Sequence, residues 1–294
     1  MKPAPFRYVR ARSVTEALEW LAREPGAKVL AGGQSLVPLL NMRLTRPDVV
    51  VDINGLTAQL AGVREEGERI RIGALTRHYQ LETDALLRDR CPLIPEAERL
   101  IGHPAVRSRG TIGGSLAHAD PAAELPAVFR LLEGTAVARS RRGVREIPAD
   151  RFFQGYFTTD LAPDELLTEV ILPARRERQG GALCERAARH GDFAWVLAGA
   201  WVTLWEDGRI RTARLVWGGV SDRPVRLPDV EAELADRTLE AARQVLRDLV
   251  PRAVEPPDDV HASAAFRRRL ATVLADQALV AAARRAEAIV PTKE

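Results

Sequence analysis

The sequence predicts a two-domain chain that mixes helices with strands, and three observations predict it. Its 294 residues exceed an ordinary domain of about 100–200 residues. Short apolar runs alternate with amphipathic stretches as far as Leu172. A charged, non-periodic stretch bounded by proline and glycine (173–181) then precedes three strand candidates and a helical remainder.

The elements follow in order. Ser13-Val14-Thr15-Glu16 reads as a capping box in which Ser13 and Glu16 satisfy each other's backbone donors. It opens a short amphipathic helix through Trp20 and Leu21, stopped by Pro25-Gly26. Residues 28–31 form a brief strand broken by Gly32-Gly33, 35–42 a helix, and 49–51 a buried strand ending at Asp52. Residues 69–73 alternate like a half-exposed strand, and 92–100 read as a helix. The stretch 101–120 reads as a long irregular loop, too apolar for disorder and therefore functional. Helix resumes over 122–132, with strands at 135–138 and 166–172. After the 173–181 stretch come strands at 183–187, 194–204 and 210–217, with Asp207-Gly208 as a hairpin turn between the last two. Helices over 238–249 and 262–288 close the chain, separated by 251–257. The Arg267-Arg268-Arg269 run reads as a solvated face.

Composition excludes several classes. The chain is 46% hydrophobic and long enough to bury a core without disulfides or structural metals. Of 43 basic residues only Lys2, Lys28 and Lys293 are lysine, and 40 acidic residues are interleaved with the arginines. No unopposed basic block marks a nucleic-acid binder. Cys91 and Cys184 lie far apart, each without a Cys or His at ligand spacing, so no iron–sulfur cluster, zinc site or disulfide framework is expected. Both read as buried thiols. A polar first twelve residues and the lack of an 18-residue apolar run point to a soluble, cytoplasmic protein without a membrane span.

Chemistry concentrates in two glycine-rich turns. Val29-Leu30-Ala31-Gly32-Gly33-Gln34-Ser35-Leu36 is a strand, a tight turn and a helix start; Gly110-Thr111-Ile112-Gly113-Gly114-Ser115 is the second. Bare backbone N–H groups beside hydroxyls suit a phosphate or pyrophosphate. Neither turn is a G-x-G-x-x-G or a P-loop, and together they point to a ligand without identifying it. Ser115, His118 and Asp120 lie too close in sequence for a hydrolase triad. A metal site from His118, Asp120 and Glu124 lacks the paired histidines of the zincins. The plainer reading has Asp120 capping a helix that begins after Pro121. Glu124, in its first turn, can then accept hydrogen bonds from sugar-like hydroxyls.

Two longer stretches, AGGQSLVPLLNMRLTRPDVVVDINGL and GTIGGSLAHADPAAELPAV, closely resemble the FAD-binding medium subunit of the molybdenum hydroxylases, which include carbon monoxide and xanthine dehydrogenases. The resemblance continues, in order, through ERAARHGDFAWVLAGA and LVWGGVSDRPVR, and so covers nearly the whole chain. It implies an α+β fold. An FAD-binding domain of the PCMH (vanillyl-alcohol oxidase-like) type would span 1–176, in subdomains of about 1–55 and 56–176 with the flavin between them. A smaller domain of the CO dehydrogenase flavoprotein type, a three-stranded antiparallel sheet with helices, would span 177–290.

Carried over by position, Val29, Leu30, Ala31, Gly32, Gly33, Gln34, Ser35 and Leu36 would wrap the FAD pyrophosphate. Thr111, Gly113, Gly114 and Ser115 would complete the clamp. Glu124 stands where relatives often carry Asp at the ribityl or ribose hydroxyls, and Ile101, Gly102 and Leu167 where they line the flavin and adenine. Phe193 either shields the ring face or is an ordinary buried Phe. No general base and no metal ligand is implied. The chain would pass electrons from [2Fe–2S] clusters of a small subunit, supplied by a molybdenum cofactor in a large subunit, through FAD to an external acceptor. Such subunits would assemble as a dimer of heterotrimers. The alternatives are a free-standing FAD-dependent oxidoreductase of the UDP-sugar reductase type and a non-flavin scaffold.

Overall fold

In this computed structural model, which describes residues 1–288, three main sheets follow one another along the chain. The first is parallel. Strand Val49–Asp52 lies between Arg7–Arg10 and Lys28–Leu30, with Tyr8 opposite Val50 and Val29 opposite Val51. Val49, Val50 and Val51 are all buried, as a central parallel strand requires. Helix Val14–Arg23 adds Ala17, Leu18 and Leu21 to this core. Ser13 accepts from the Glu16 amide at 3.1 Å as expected. The Glu16 carboxylate instead accepts from the Arg12 amide at 2.8 Å, one residue earlier than a capping box predicts.

The second sheet is antiparallel, in the order Val63–Glu66, Arg69–Gly73, Leu166–Pro173, Thr135–Ser140, Gly143–Pro148. Its two edge strands are mostly exposed and polar, so they carry no apolar period to read in advance. Helices Leu93–Glu98 and Glu124–Leu131 bury Leu93, Ile94, Leu125, Val128 and Phe129 in one core with Ile70, Ile72 and Val170 of the sheet.

The third sheet is a meander of Gln179–Arg186, Val196–Leu204 and Ile210–Gly218. Its period of two sorts side chains to opposite faces. Leu183, Leu197, Trp201 and Val216 enter the core of the second sheet. Ala182, Val196, Ala198, Ala200, Val202, Leu215 and Trp217 meet the long helix Ala264–Glu287 and helix Leu239–Ala253. The long helix turns alanines 271, 275, 278, 282 and 286 inward, letting its backbone lie close on the sheet. A Cβ on Gly180 would stand 2.1 Å from the Ala282 carbonyl oxygen, and the Trp217 indole donates to the Ala271 carbonyl at 3.1 Å.

Three expectations are corrected. The 101–120 stretch is not an irregular loop: it holds helices Pro104–Arg107 and Ile112–His118, the second entered through Thr111. Its glycines disguised it, since Gly113 is tolerated inside a helix because its Cα packs against Ala74. Asp120 does not cap the following helix, which starts at Glu124 after Ala123. Its carboxylate accepts from the Ala122 amide at 2.9 Å, and Ala123 N–H donates to the Asp120 carbonyl, so Pro121 occupies the second position of a turn. Arg267 is buried rather than solvated, and only Arg269 of its run is fully exposed. The Arg267 guanidinium donates to the Trp195 and Gly219 carbonyls at 2.6 and 2.8 Å and pairs with Asp259, whose carboxyl it pulls down to about 2.

The seating of the long helix makes a prediction. Gly180→Ala should cost about 1–3 kcal/mol through overpacking and lower the thermal midpoint by several degrees. A melting curve superimposable on the wild type would mean that the helix does not rest on this strand.

Candidate functional site

Strand Lys28–Leu30 delivers the first glycine-rich turn, and helix Leu36–Asn41 leaves it. Gly33 has φ +75°, a conformation that favours glycine. Gly32 is required for a different reason: a Cβ there would lie 2.3 Å from the Arg109 carbonyl oxygen and 2.7 Å from the Gly110 Cα. The two turns, distant in sequence, therefore touch backbone to backbone. Among the described residues, the amide N–H groups of Gly32, Gly33, Gln34, Ser35 and Leu36 find no protein acceptor. Unpartnered donors in such a run are a binding surface for an anion.

The second turn is built differently. Thr111 caps helix Ile112–His118, its hydroxyl accepting from the Gly114 amide at 3.1 Å. Ile112 N–H donates to the Thr76 carbonyl and Gly113 N–H to the Ala74 carbonyl. The amides of Ile112, Gly113, Gly114 and Ser115 are thus spent inside the fold, and the Thr111 N–H, which finds no protein acceptor among the described residues, is buried with Gly113, while Gly114 and Ser115 stay half-exposed. Beneath lies His78. Its Nδ1 stands 3.0 Å from the Glu98 carboxylate, its amide donates to the Gly110 carbonyl at 3.1 Å, and its ring packs where a Gly110 Cβ would be. Glu98 is fully buried, and desolvation raises its carboxyl above the ordinary range, opposed by His78.

Asn54 and Arg77 join the two turns. Asn54 donates to the Ala31 carbonyl at 2.8 Å and to Asp52 at 2.6 Å. Arg77 donates to the Asn54 side-chain oxygen at 2.6 Å and to the Arg109 carbonyl. The remaining Asp52 oxygen takes the Tyr8 hydroxyl. Sequence reasoning missed Asn54, Arg77, His78 and Glu98. No spacing marks them, because each partner lies more than twenty residues away or in a different element.

The other expected residues form a second group. The loop after Arg186 meets the segment after Leu100: a Cβ on Gly191 would stand 2.8 Å from the Gly102 carbonyl oxygen. Arg107 holds that segment by donating to the Ile101 and Gly102 carbonyls at 3.0 and 3.2 Å. Ile101, Gly102 and the loop bearing Phe193 are therefore neighbours. Phe193 is 63% exposed, which removes the ordinary buried-Phe reading. Leu167 is a core side chain of the second sheet. Glu124 is buried at the start of its helix, and desolvation with nearby Glu185 pushes its carboxyl up to about 8. Burial pushes Glu185, on the third sheet, up to about 7, and its Oε2 is buried without a hydrogen-bond partner.

Comparison with known proteins identifies the arrangement. Residues 4–175 match the family described as the FAD binding domain in molybdopterin dehydrogenase, and residues 182–282 the CO dehydrogenase flavoprotein C-terminal domain. The chain is 42% identical to the alpha subunit of the 6-hydroxypseudooxynicotine dehydrogenase complex of Paenarthrobacter nicotinovorans, over 100% of this chain and 99% of that one. It is 34% identical to the carbon monoxide dehydrogenase medium chain of Hydrogenophaga pseudoflava, over 96% and 98% of the two. A solved structure of quinoline 2-oxidoreductase from Pseudomonas putida 86 superposes with a TM-score of 0.92 at 33% identity, covering 97% of this chain and 99% of that chain. Whole-length likeness to such subunits does not favour the UDP-sugar reductase alternative. Fold, paired turns and family matches agree that the chain belongs to the FAD-binding medium subunits of the molybdenum hydroxylases.

Proposed function

We propose that this subunit holds FAD against its two glycine-rich turns and is the electron exit of its complex. Electrons would arrive from [2Fe–2S] clusters of a small subunit, having left substrate at a molybdenum cofactor in a large subunit, and depart to an external acceptor. The observation that carries this reading is the run of five unpartnered amides at 32–36. It fits the FAD diphosphate, because the oxygens of Asp52, the carboxylate of the adjoining strand, are occupied by Tyr8 and Asn54 and do not compete for these amides.

Bound FAD would supply a redox centre able to take and release electrons. The chain's own residues bind and orient it. Val29, Leu30 and Ala31 set the approach of the strand, and Gly32, Gly33, Gln34, Ser35 and Leu36 donate to the diphosphate. Thr111 and Gly113 fix the second turn so that Gly114 and Ser115 border the same anion. Glu124, protonated near neutral pH, can both donate to and accept from ribityl or ribose hydroxyls. Ile101, Gly102 and Phe193 border the flavin ring, and Leu167 supports that wall from the core.

The domain limits we propose are 1–176, divided near 55, and 177–290, of which residues 289 and 290 lie outside the described residues. The first two sheets end at Pro173 and the third begins at Gln179, which supports that division. No helix among the described residues is long and apolar enough to cross a membrane. A cytoplasmic dimer of heterotrimers with one large and one small partner is the assembly we propose. The two cysteines cannot ligate a cluster of their own, which supports clusters on another chain.

Three experiments test this reading. Purified with its neighbours, the chain should be yellow and bring along a molybdenum subunit and an iron–sulfur subunit; a chain that turns over substrate unaided would sink the proposal. Gly114→Val should leave the fold soluble and abolish flavin retention, measured as absorbance per protein, and normal flavin content would remove the second turn from the site. The third concerns pH. Between the ordinary value of 4.5 and about 8, folded Glu124 keeps a proton that the unfolded chain has lost, so its penalty on stability grows as pH rises. Glu124→Gln should therefore raise the melting midpoint of the flavin-free protein more at about pH 9 than at about pH 5. An equal gain at both would contradict the raised carboxyl.

A further inference from the structure

The five free amides of the first turn are not its only unopposed positive groups. Arg77 is half-buried, and its guanidinium donates to the same Arg109 carbonyl oxygen against which Gly32 packs. Its other arm reaches Asn54, which in turn donates to the Ala31 carbonyl at the entry to that turn. The fork therefore spans both glycine-rich turns with one planar group. Among the described residues it forms no ion pair with a carboxylate. Most other half-buried arginines here do: Arg107 pairs with Glu82, and Arg226 with Glu133 and Glu231. Desolvation, and next to it the neighbouring Arg109, hold Arg77 below the ordinary arginine value, with Tyr79 and Asp52 offsetting only part of that effect.

We propose that Arg77 is the cationic ligand of the FAD diphosphate and, tied to Asn54, the clasp that sets the spacing of the two turns. The proposal rests on the flavin site described above. A half-buried guanidinium without a carboxylate partner carries a desolvation cost that a bound dianion would offset. Arginine suits the role better than lysine, since one planar fork can hold the Asn54 oxygen and the Arg109 carbonyl and still present donors to phosphate oxygens. Part of the clamp is then a side chain, not glycine backbone alone.

The test is a titration of the flavin-free full chain with FAD, followed by quenching of flavin fluorescence at several salt concentrations. Arg77→Ala should weaken binding by about ten- to hundredfold, the size of a lost charge-assisted contact, and flatten its salt dependence. Arg77→Lys should lose about tenfold but keep the salt dependence, because the charge remains and the fork does not. Asn54→Ala should weaken binding with the salt dependence intact. Wild-type affinity and salt dependence in Arg77→Ala would overturn the proposal. Equal losses in the Ala and Lys variants at unchanged salt dependence would also overturn it, by reducing Arg77 to a structural tie. If Arg77→Ala does not fold, Arg77→Gln takes its place in the same comparison. Gly114→Val separates the two levels of inference. If that variant loses FAD while Arg77→Ala keeps it, only the role of Arg77 falls. If it keeps FAD, the second turn leaves the site and the clasp between the turns falls with it, whereas a wild-type chain that binds no FAD would remove the underlying site.

Discussion

The contact of Gly32 with the Arg109–Gly110 backbone is the constraint on which the site depends. It joins two segments that belong to different sheets, and any side chain at position 32 would hold them apart. Each segment is also fixed from its own side. The first hangs from the parallel sheet through strand Lys28–Leu30 and from Asn54 through the Ala31 carbonyl. The second is pinned by Thr76 and Ala74, whose carbonyls take the Ile112 and Gly113 amides, and by His78 below Gly110. The two turns consequently do different work. One leaves a run of donors free, and the other spends the amides from Ile112 to Ser115 to hold a shape against the first.

Buried titratable groups mark the same region. The buried contact between His78 and Glu98 underlies the second turn. Glu124, at the start of its helix, and Glu185, on the third sheet, both hold their carboxyls well above the ordinary range. Groups pushed this far from their ordinary values concentrate at functional sites more often than elsewhere. The third sheet is tied to the same place by the Leu183 amide, which donates to Glu96 at 3.1 Å, and by the loop that meets Gly102.

The arginine excess has several explanations within the fold. Arg145 pairs with Asp160 and Glu165, Arg226 with Glu133 and Glu231, and Arg243 with Asp276 and Glu240. Exposed pairs such as Arg145–Asp160 neutralise the surface more than they stabilise it, whereas Arg226 and Glu231 are largely buried. Arg267 is different: it stitches the Trp195 and Gly219 carbonyls to the long helix from inside the protein.

What the sequence determined by itself was local or repeated. Its apolar periods located the central strands and the long helices, Asp207-Gly208 located the hairpin, and two glycine-rich motifs located the turns and the family. Edge strands such as Val63–Glu66 stayed hidden because their pairing, not their composition, makes them strands. Helix Ile112–His118 was hidden by its glycines, of which Gly113 is accommodated against Ala74, almost forty residues earlier. Only the tertiary structure decided that the run of free amides belongs to the first turn, that Phe193 is exposed, and that Asn54 and Arg77 bridge the turns. Those outcomes depend on which distant carbonyl, carboxylate or Cα arrives beside each group, and a linear pattern carries no record of that arrival.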